Sequence, residues 1–210
     1  LTLTMIESLI LHIGVKGVAC MGKDTVAGLQ PIRYYSTVTE RSIDWLWYPY
    51  IPFGKITVVQ GDPGDGKTTF ILNIASLLSK GFPMPESSIA FSGTAIYQSA
   101  EDSMEDTIKP RLLSAGADCT KIAFIDDAEC GLTVNGARIE SAIIETGARL
   151  LVLDPLQAYL GESYEMNRAD GIRPMMKQLT TVANRTGCAI VIIGHMNKAS
   201  SAKGIYRGLG

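Results

Sequence analysis

Residues 61–69 read Gly-Asp-Pro-Gly-Asp-Gly-Lys-Thr-Thr, a stretch with three glycines that ends in a lysine and two threonines. It fits the pattern G-x-x-x-x-G-K-[ST] of a phosphate-binding P-loop, whose fixed positions are Gly61, Gly66, Lys67 and Thr68. The apolar run 56–59 precedes the pattern, and apolar residues at helical spacing follow it. A P-loop requires a strand, a glycine-rich turn and a helix in this order, so a nucleotide site is favoured over a chance match in a turn.

The chemistry of this loop follows from its backbone. Its glycines allow successive N–H groups to point at phosphate oxygens, and the start of the next helix adds partial positive charge. Lys67 supplies a charge for the β- and γ-phosphates, and the Thr68 hydroxyl is suited to ligate Mg²⁺. Asp62 and Asp65 are unusual beside a triphosphate, and we expect both carboxylates to face outward. The predicted ATP-binding residues are Gly61, Asp62, Pro63, Gly64, Asp65, Gly66, Lys67, Thr68 and Thr69.

The composition limits the class of protein. The chain has 210 residues, 46% hydrophobic and 19% charged, with a net charge of −2. This length suits one domain, and the charge excludes a globally basic nucleic-acid-binding protein, so any DNA contact must come from a local patch. The four cysteines lie far apart with no C-x-x-C pair, which favours reduced thiols in a cytoplasmic protein. Charged residues interrupt the apolar N-terminus, so we predict neither a membrane span nor a signal peptide.

Apolar runs and helical spacing alternate along the chain. We predict strands at 56–59, 95–99, 122–125, 149–153 and 188–193, and helices after the P-loop and at 103–115, 135–146 and 169–185. Continuous apolar strands that alternate with helices indicate a parallel sheet covered on both faces, so the predicted fold is α/β and doubly wound. Pro110 falls inside a predicted helix and is expected to bend it. The aromatic and proline residues of 31–55 are expected to pack against the sheet edge, with a base-stacking surface as the alternative.

Four apolar residues and an aspartate at 150–154 have the form of a Walker B strand. The carboxyl end of a buried parallel strand lies at the rim where ligands bind, so Asp154 is placed to hold Mg²⁺ through water. This pattern is weak by itself, and the alternative is that Asp154 caps the segment beginning at Pro155. Because a P-loop lies upstream, we predict that Asp154 and Thr68 hold the metal.

A carboxylate pair, Glu101 and Asp102, follows the predicted strand at 95–99. Hydrolysis needs a group that orients or deprotonates the attacking water, and a glutamate at a neighbouring strand tip can do so. The alternative is a helix start with Ser99 as N-cap and Asp102 three residues on. Both can hold together, and we predict Glu101 as the catalytic base.

Polar and basic residues end the chain. His195 follows the last predicted strand at the same rim, where it is suited to sense loss of the γ-phosphate; a hydrogen-bonded histidine without such a task is the alternative. Residues 196–210 carry Lys198, Lys203 and Arg207 and no acidic residue, which suits binding of a phosphate backbone or a solvated loop. Arg207 is also suited to reach the γ-phosphate of a neighbouring subunit as an arginine finger.

Taken together these motifs resemble the RecA-like ATPases, and most closely the RepA-type hexameric replicative helicases of plasmids and related ATPases of phages and mobile elements. The resemblance covers 45–210, some four-fifths of the chain. It rests on an ordered set: the P-loop, Ala100-Glu101-Asp102, Leu153-Asp154, Gly194-His195 with Lys198, and Arg207-Gly208.

The resemblance implies a homo-oligomeric, hexameric ring with ATP and Mg²⁺ between subunits and single-stranded DNA in the central channel. It implies catalytic roles for four residues, with Glu101 as the base, His195 as the sensor and Arg207 acting in trans, together with Lys67. It also places Lys198 and Lys203 in or near a DNA-facing loop, and it implies that Arg111 packs on the adenine. The Lys-x-Arg finger pair of some related helicases is not matched, which leaves the finger assignment open. Residues 1–44 lie outside the resemblance, and we predict that they form a flanking segment of unknown role. The resemblance implies an ATPase core at 45–210 whose C-terminal strands are missing.

Three functions are compatible with these features. The leading prediction is an ATPase motor that moves along single-stranded DNA in replication or repair, such as a DNA helicase. The second is a nucleotide-gated recombination or assembly protein that binds DNA without unwinding it. A P-loop kinase is the third, although no arginine-rich lid follows the last predicted strands and Glu101 is placed for water.

Overall fold

The computed structural model describes residues 32–126, 132, 137–159 and 169–195. The chain divides after Arg41 into two units. In the first, the described residues contain one short 3-10 turn, Tyr35–Thr37. The second contains the sheet and the helices that pack on it. None of the described helices is both long and apolar enough to cross a membrane.

Strands and helices alternate in the second unit. The strands are β1 (Trp45–Trp47), β2 (Ile51–Pro52), β3 (Ile56–Gly61), β4 (Ala95–Ser99), β5 (Ile122–Ala123), β6 (Leu150–Asp154) and β7 (Ala189–His195). The helices are α1 (Lys67–Lys80), α2 (Lys109–Ser114), α3 (Ala137–Thr146) and α4 (Ala169–Thr186). A π-helical turn, Met104–Ile108, precedes α2, and 3-10 turns occur at Cys119–Lys121 and Leu156–Tyr159.

Five strands form one parallel sheet in the order β3-β7-β6-β4-β5. The prediction of a doubly wound parallel α/β fold is therefore confirmed. Because β7 lies between β3 and β6, the strand that leads into the P-loop is not adjacent to the strand that ends in Asp154. All five strands run in the same direction, so their carboxyl ends meet along one rim.

Each face of the sheet is buried under helices. In β6, Leu150 and Val152 belong to the cluster that includes α1 and α2, whereas Leu151 and Leu153 belong to the cluster that includes α3 and α4. Successive side chains of a strand point to opposite faces, and both faces are covered. This explains why the strand is apolar at every position rather than at alternate ones.

The aromatic segment before β3 forms a two-stranded antiparallel sheet, β1 with β2. Leu46 and Ile51 are buried in the same cluster as α1, as expected for core packing. The Trp47 ring lies 4.7 Å from that of Tyr50 and 5.8 Å from that of Phe70, between ring centres. The segment therefore anchors the start of β3 to α1.

Two predicted elements differ from the structure. The helix predicted at 103–115 begins as the π-helical turn, in which Ile108 N–H donates to the Ser103 carbonyl at 3.0 Å. Pro110 has no N–H to donate and its ring crowds the preceding turn, so a wider turn before α2 accommodates it. The strand predicted at 122–125 ends at Ala123, and beyond it the Gln98 side chain holds Ile125 through bonds of 3.1 Å and 2.8 Å.

Candidate functional site

The P-loop connects the end of β3 to α1. Gly64 and Gly66 have φ angles of 92° and 77°, a region that glycine adopts without steric cost. Among the described residues no side chain caps the N-terminus of α1, and the first N–H groups of this helix are suited to bind an anion. The side chain of Lys67 is buried, and its Nζ donates to the carbonyls of Gly61 at 3.1 Å and Asp62 at 2.7 Å. These bonds close the loop around the lysine that we predict to serve the β- and γ-phosphates.

The carboxylate of Asp65 is turned toward the loop and not outward, so its predicted orientation was wrong. Its Oδ2 accepts from the Asp62 N–H at 2.7 Å, and the Asp65 N–H donates to the Asp62 carbonyl at 3.2 Å. The turn from Asp62 to Asp65 is therefore closed by two hydrogen bonds. A Cβ at position 61 would lie 2.5 Å from Asp65 Oδ2, so a larger residue there would displace the Asp65 carboxylate.

Asp154, at the end of β6, contacts the P-loop helix directly. The residue is 5% exposed, and its Oδ2 accepts from Thr68 Oγ1 at 2.8 Å and from the Tyr97 hydroxyl at 2.7 Å. The contacts favour a role at the P-loop over a cap on the segment that begins at Pro155. Tyr97 was not predicted as a site residue; the signal was a phenol in a strand that is buried at every position, where a hydroxyl needs a partner. Burial, and next the charge of Asp154, raise the pKa of Tyr97, so its hydroxyl stays a proton donor.

The donor set of Thr68 and Asp154 fits a hydrated Mg²⁺. Thr68 uses its proton toward Asp154, so the hydroxyl oxygen keeps lone pairs for a cation. Both hydrogen bonds that described residues donate to the Asp154 carboxylate end on Oδ2, and Oδ1 is available to a metal-bound water. Magnesium commonly takes one or two protein oxygens and completes its shell with phosphate and water.

Glu101 follows β4, the strand next to β6. Ser99 is paired in register with Asp154, and the N–H of Ala100 donates to the Asp154 carbonyl at 2.9 Å. Glu101 is exposed and lies two residues beyond Ser99, on the same rim as Asp154. The structure therefore places the two carboxylate residues that we predict for hydrolysis on one rim of the sheet.

Asp102, the residue after Glu101, forms a hydrogen bond through its backbone and an ion pair through its side chain. Asp102 N–H donates to Ser99 Oγ at 3.1 Å. This bond closes a local turn, and the prediction of Ser99 as a helix N-cap was wrong, because the first helical turn begins at Met104 with Ser103 as its N-cap residue. The Asp102 carboxylate forms an ion pair with Arg111 at 3.1 Å. Both side chains are partly exposed, and the adenine contact of Arg111 stays a prediction.

His195 is the last residue of β7, and its backbone is paired in register with Gly61. Strand β7 therefore delivers His195 to the rim between the P-loop and the end of β6. The predicted residues Lys198, Lys203 and Arg207 lie outside the described residues, and their roles stay predictions.

This chain is similar to a family of ATPase-type domains and to several curated proteins. The model of the AAA domain matches residues 29–201. DNA repair protein RadA of Halalkalibacterium halodurans is 28% identical over 156 residues, which is 72% of this chain and 30% of that protein. DNA repair protein RadA of Helicobacter pylori is 30% identical over 177 residues, covering 82% and 35%. Protein RecA of Deinococcus radiodurans is 24% identical over 153 residues, covering 70% and 39%. The chain spans about a third of the length of these relatives.

Proposed function

Because this chain belongs to the AAA domain family and is a RecA-like P-loop ATPase, we propose that it binds ATP with Mg²⁺ and hydrolyses it to ADP and phosphate. The observation that carries the proposal is the contact between Thr68 Oγ1 and Asp154 Oδ2 at 2.8 Å. It joins the phosphate loop to the predicted metal carboxylate across 86 positions of sequence, as a nucleotide site requires.

Each rim residue then has a task. The backbone of the loop and Lys67 hold the phosphates, and Thr68 with Asp154 holds Mg²⁺, which would neutralise charge on the phosphate oxygens. Glu101 orients the attacking water and accepts its proton. His195, at the tip of the strand between the two halves of the site, senses the γ-phosphate.

We propose DNA as the partner and DNA repair as the process. The support is the likeness to proteins named DNA repair protein RadA, together with the basic segment that contains Lys198 and Lys203. Movement along single-stranded DNA with helicase activity is the finer proposal and rests on the resemblance to replicative helicases. The alternative proposal is a nucleotide-gated recombination or assembly protein that binds DNA without unwinding it.

We further propose a hexameric ring in the cytoplasm, with Arg207 completing the site of the next subunit. The support is the resemblance alone. Sedimentation of the chain with a non-hydrolysable ATP analogue should show a hexamer, and a monomer under those conditions would contradict the ring.

The decisive experiment measures ATP turnover with and without single-stranded DNA. Wild-type protein should release phosphate faster when DNA is added, and Lys67→Ala should abolish nucleotide binding or turnover. Lys80→Ala is the matched control because it removes a lysine from the last turn of the same helix. Normal turnover by Lys67→Ala would refute the site, and transfer of phosphate to an acceptor would identify a kinase. Strand displacement then separates a helicase from a protein that only binds DNA.

A further inference from the structure

Tyr97 lies in the middle of β4, and its ring is buried in the apolar cluster shared with α1. Only 1% of its surface is exposed. A buried hydroxyl is costly without a partner, and Tyr97 has a charged one, Asp154 Oδ2, at 2.7 Å. A hydrogen bond to an ionised acceptor is roughly twice as strong as one between neutral groups. The contact is therefore an important restraint on the Asp154 carboxylate.

Tyr97 and Thr68 approach the same oxygen from different elements. Tyr97 donates from β4 and Thr68 from α1, and both bonds end on Oδ2. The carboxylate of an aspartate rotates over a broad range of χ2 angles when no hydrogen bond restrains it. Two donors on one oxygen restrict that rotation and leave the other oxygen unused by the described residues. If Thr68 turned toward a metal, Tyr97 would remain as the donor that holds the carboxylate.

We propose, resting on the magnesium–ATP site above, that Tyr97 is a positioning residue for the metal. Its hydroxyl orients the Asp154 carboxylate so that one oxygen is presented to the hydration shell of the ion. Residues that orient a metal ligand through a hydrogen bond commonly change metal affinity by about 10- to 100-fold when they are replaced. A tyrosine that merely fills the core would change stability but not the response to magnesium.

The test is Tyr97→Phe in the whole chain, which removes one oxygen and keeps the ring that packs in the core. Tyr159→Phe is the matched control, because Tyr159 is a buried tyrosine in the apolar cluster on the other face of the sheet. Thermal unfolding first establishes that both variants fold. Binding of a fluorescent non-hydrolysable ATP analogue is then measured in EDTA and across a magnesium titration.

In EDTA, wild type and both variants should bind the analogue equally. The magnesium concentration at half-effect should rise about tenfold in Tyr97→Phe and stay at the wild-type value in Tyr159→Phe. With Asp154→Asn as background, adding Tyr97→Phe should shift the magnesium curve far less, because the two residues act through one carboxylate.

Two results would overturn the positioning role. One is a magnesium curve for Tyr97→Phe that superimposes on the wild-type curve. The other is an equal loss of affinity with and without magnesium, which a packing defect would produce. Failure of the wild-type chain itself to bind the analogue would overturn the proposed function and this inference with it, whereas the first two results leave that function standing.

Discussion

Replacement of Asp65 by asparagine and by alanine separates two effects of one carboxylate on nucleotide binding. Asp65 Oδ2 accepts from the Asp62 N–H at 2.7 Å and thereby closes the P-loop turn before any phosphate arrives. Its charge opposes that benefit, because it lies in the loop that must receive a triphosphate. Asparagine keeps an oxygen acceptor and removes the charge, whereas alanine removes both.

The size of the effect follows from the exposure of this hydrogen bond. A bond to a charged acceptor contributes about 1.5–3 kcal/mol in typical protein settings. Asp65 is exposed, so solvent weakens this hydrogen bond, and the amide of asparagine is neutral and accepts more weakly than a carboxylate. We therefore expect the bond in Asp65→Asn to contribute about 1 kcal/mol to the free energy of nucleotide binding. A difference of that size corresponds to roughly fivefold in a dissociation constant. Asp65→Asn should therefore bind an ATP analogue about fivefold more tightly than Asp65→Ala, and at least as tightly as wild type.

Isothermal titration with a non-hydrolysable ATP analogue measures all three affinities. The control is the same pair of substitutions at Asp62, whose recorded hydrogen bonds in the described part of the chain involve only its backbone. There the asparagine and alanine variants should bind alike. Equal affinities of the two Asp65 variants would contradict this prediction, since the hydrogen bond would then add nothing to the shape of the loop.

Glu101→Gln should bind an ATP analogue normally and hydrolyse ATP about 10²- to 10⁴-fold more slowly, since glutamine cannot accept a proton; unchanged phosphate release would place the base elsewhere. The Arg149 guanidinium lies 4.5 Å from the ring centre of Phe53 and 5.0 Å from that of Phe91, so Arg149→Met should lower the free energy of unfolding in urea by about 1 kcal/mol. Nucleotide affinity should not change, and an unchanged urea midpoint would contradict the contact. Burial raises the pKa of Cys188 to about 12, so this thiol stays protonated at neutral pH; rapid alkylation of it in native protein, followed by peptide mass spectrometry, would count against that environment.

The helices and strands could be predicted from the sequence because each depends on a short stretch of chain. The P-loop requires glycines at fixed spacing, and a strand covered on both faces is apolar at every position, as in β6. The residues at which helices and strands begin and end were harder to predict. The strand beginning at Ile122 is shorter than its apolar run, because the Gln98 side chain takes over the bonding of Ile125.

The kinds of side chain at the site could also be predicted from the sequence. The sequence predicts which side chains stand at strand ends, and Asp154 and Glu101 do lie on one rim. It could not predict their partners. Asp154 meets Thr68 and Tyr97, and Asp65 turns toward its own loop.

The P-loop, the parallel sheet and the polar residues at the strand ends could all be predicted from the amino-acid sequence, since periodicity and glycine placement are local properties. Three features became known from the folded chain alone: β7 inserts between β3 and β6, His195 stands in register with Gly61, and two hydroxyls share one oxygen of Asp154. Strand order and side-chain pairing depend on packing between segments distant in sequence, and no local pattern encodes that packing.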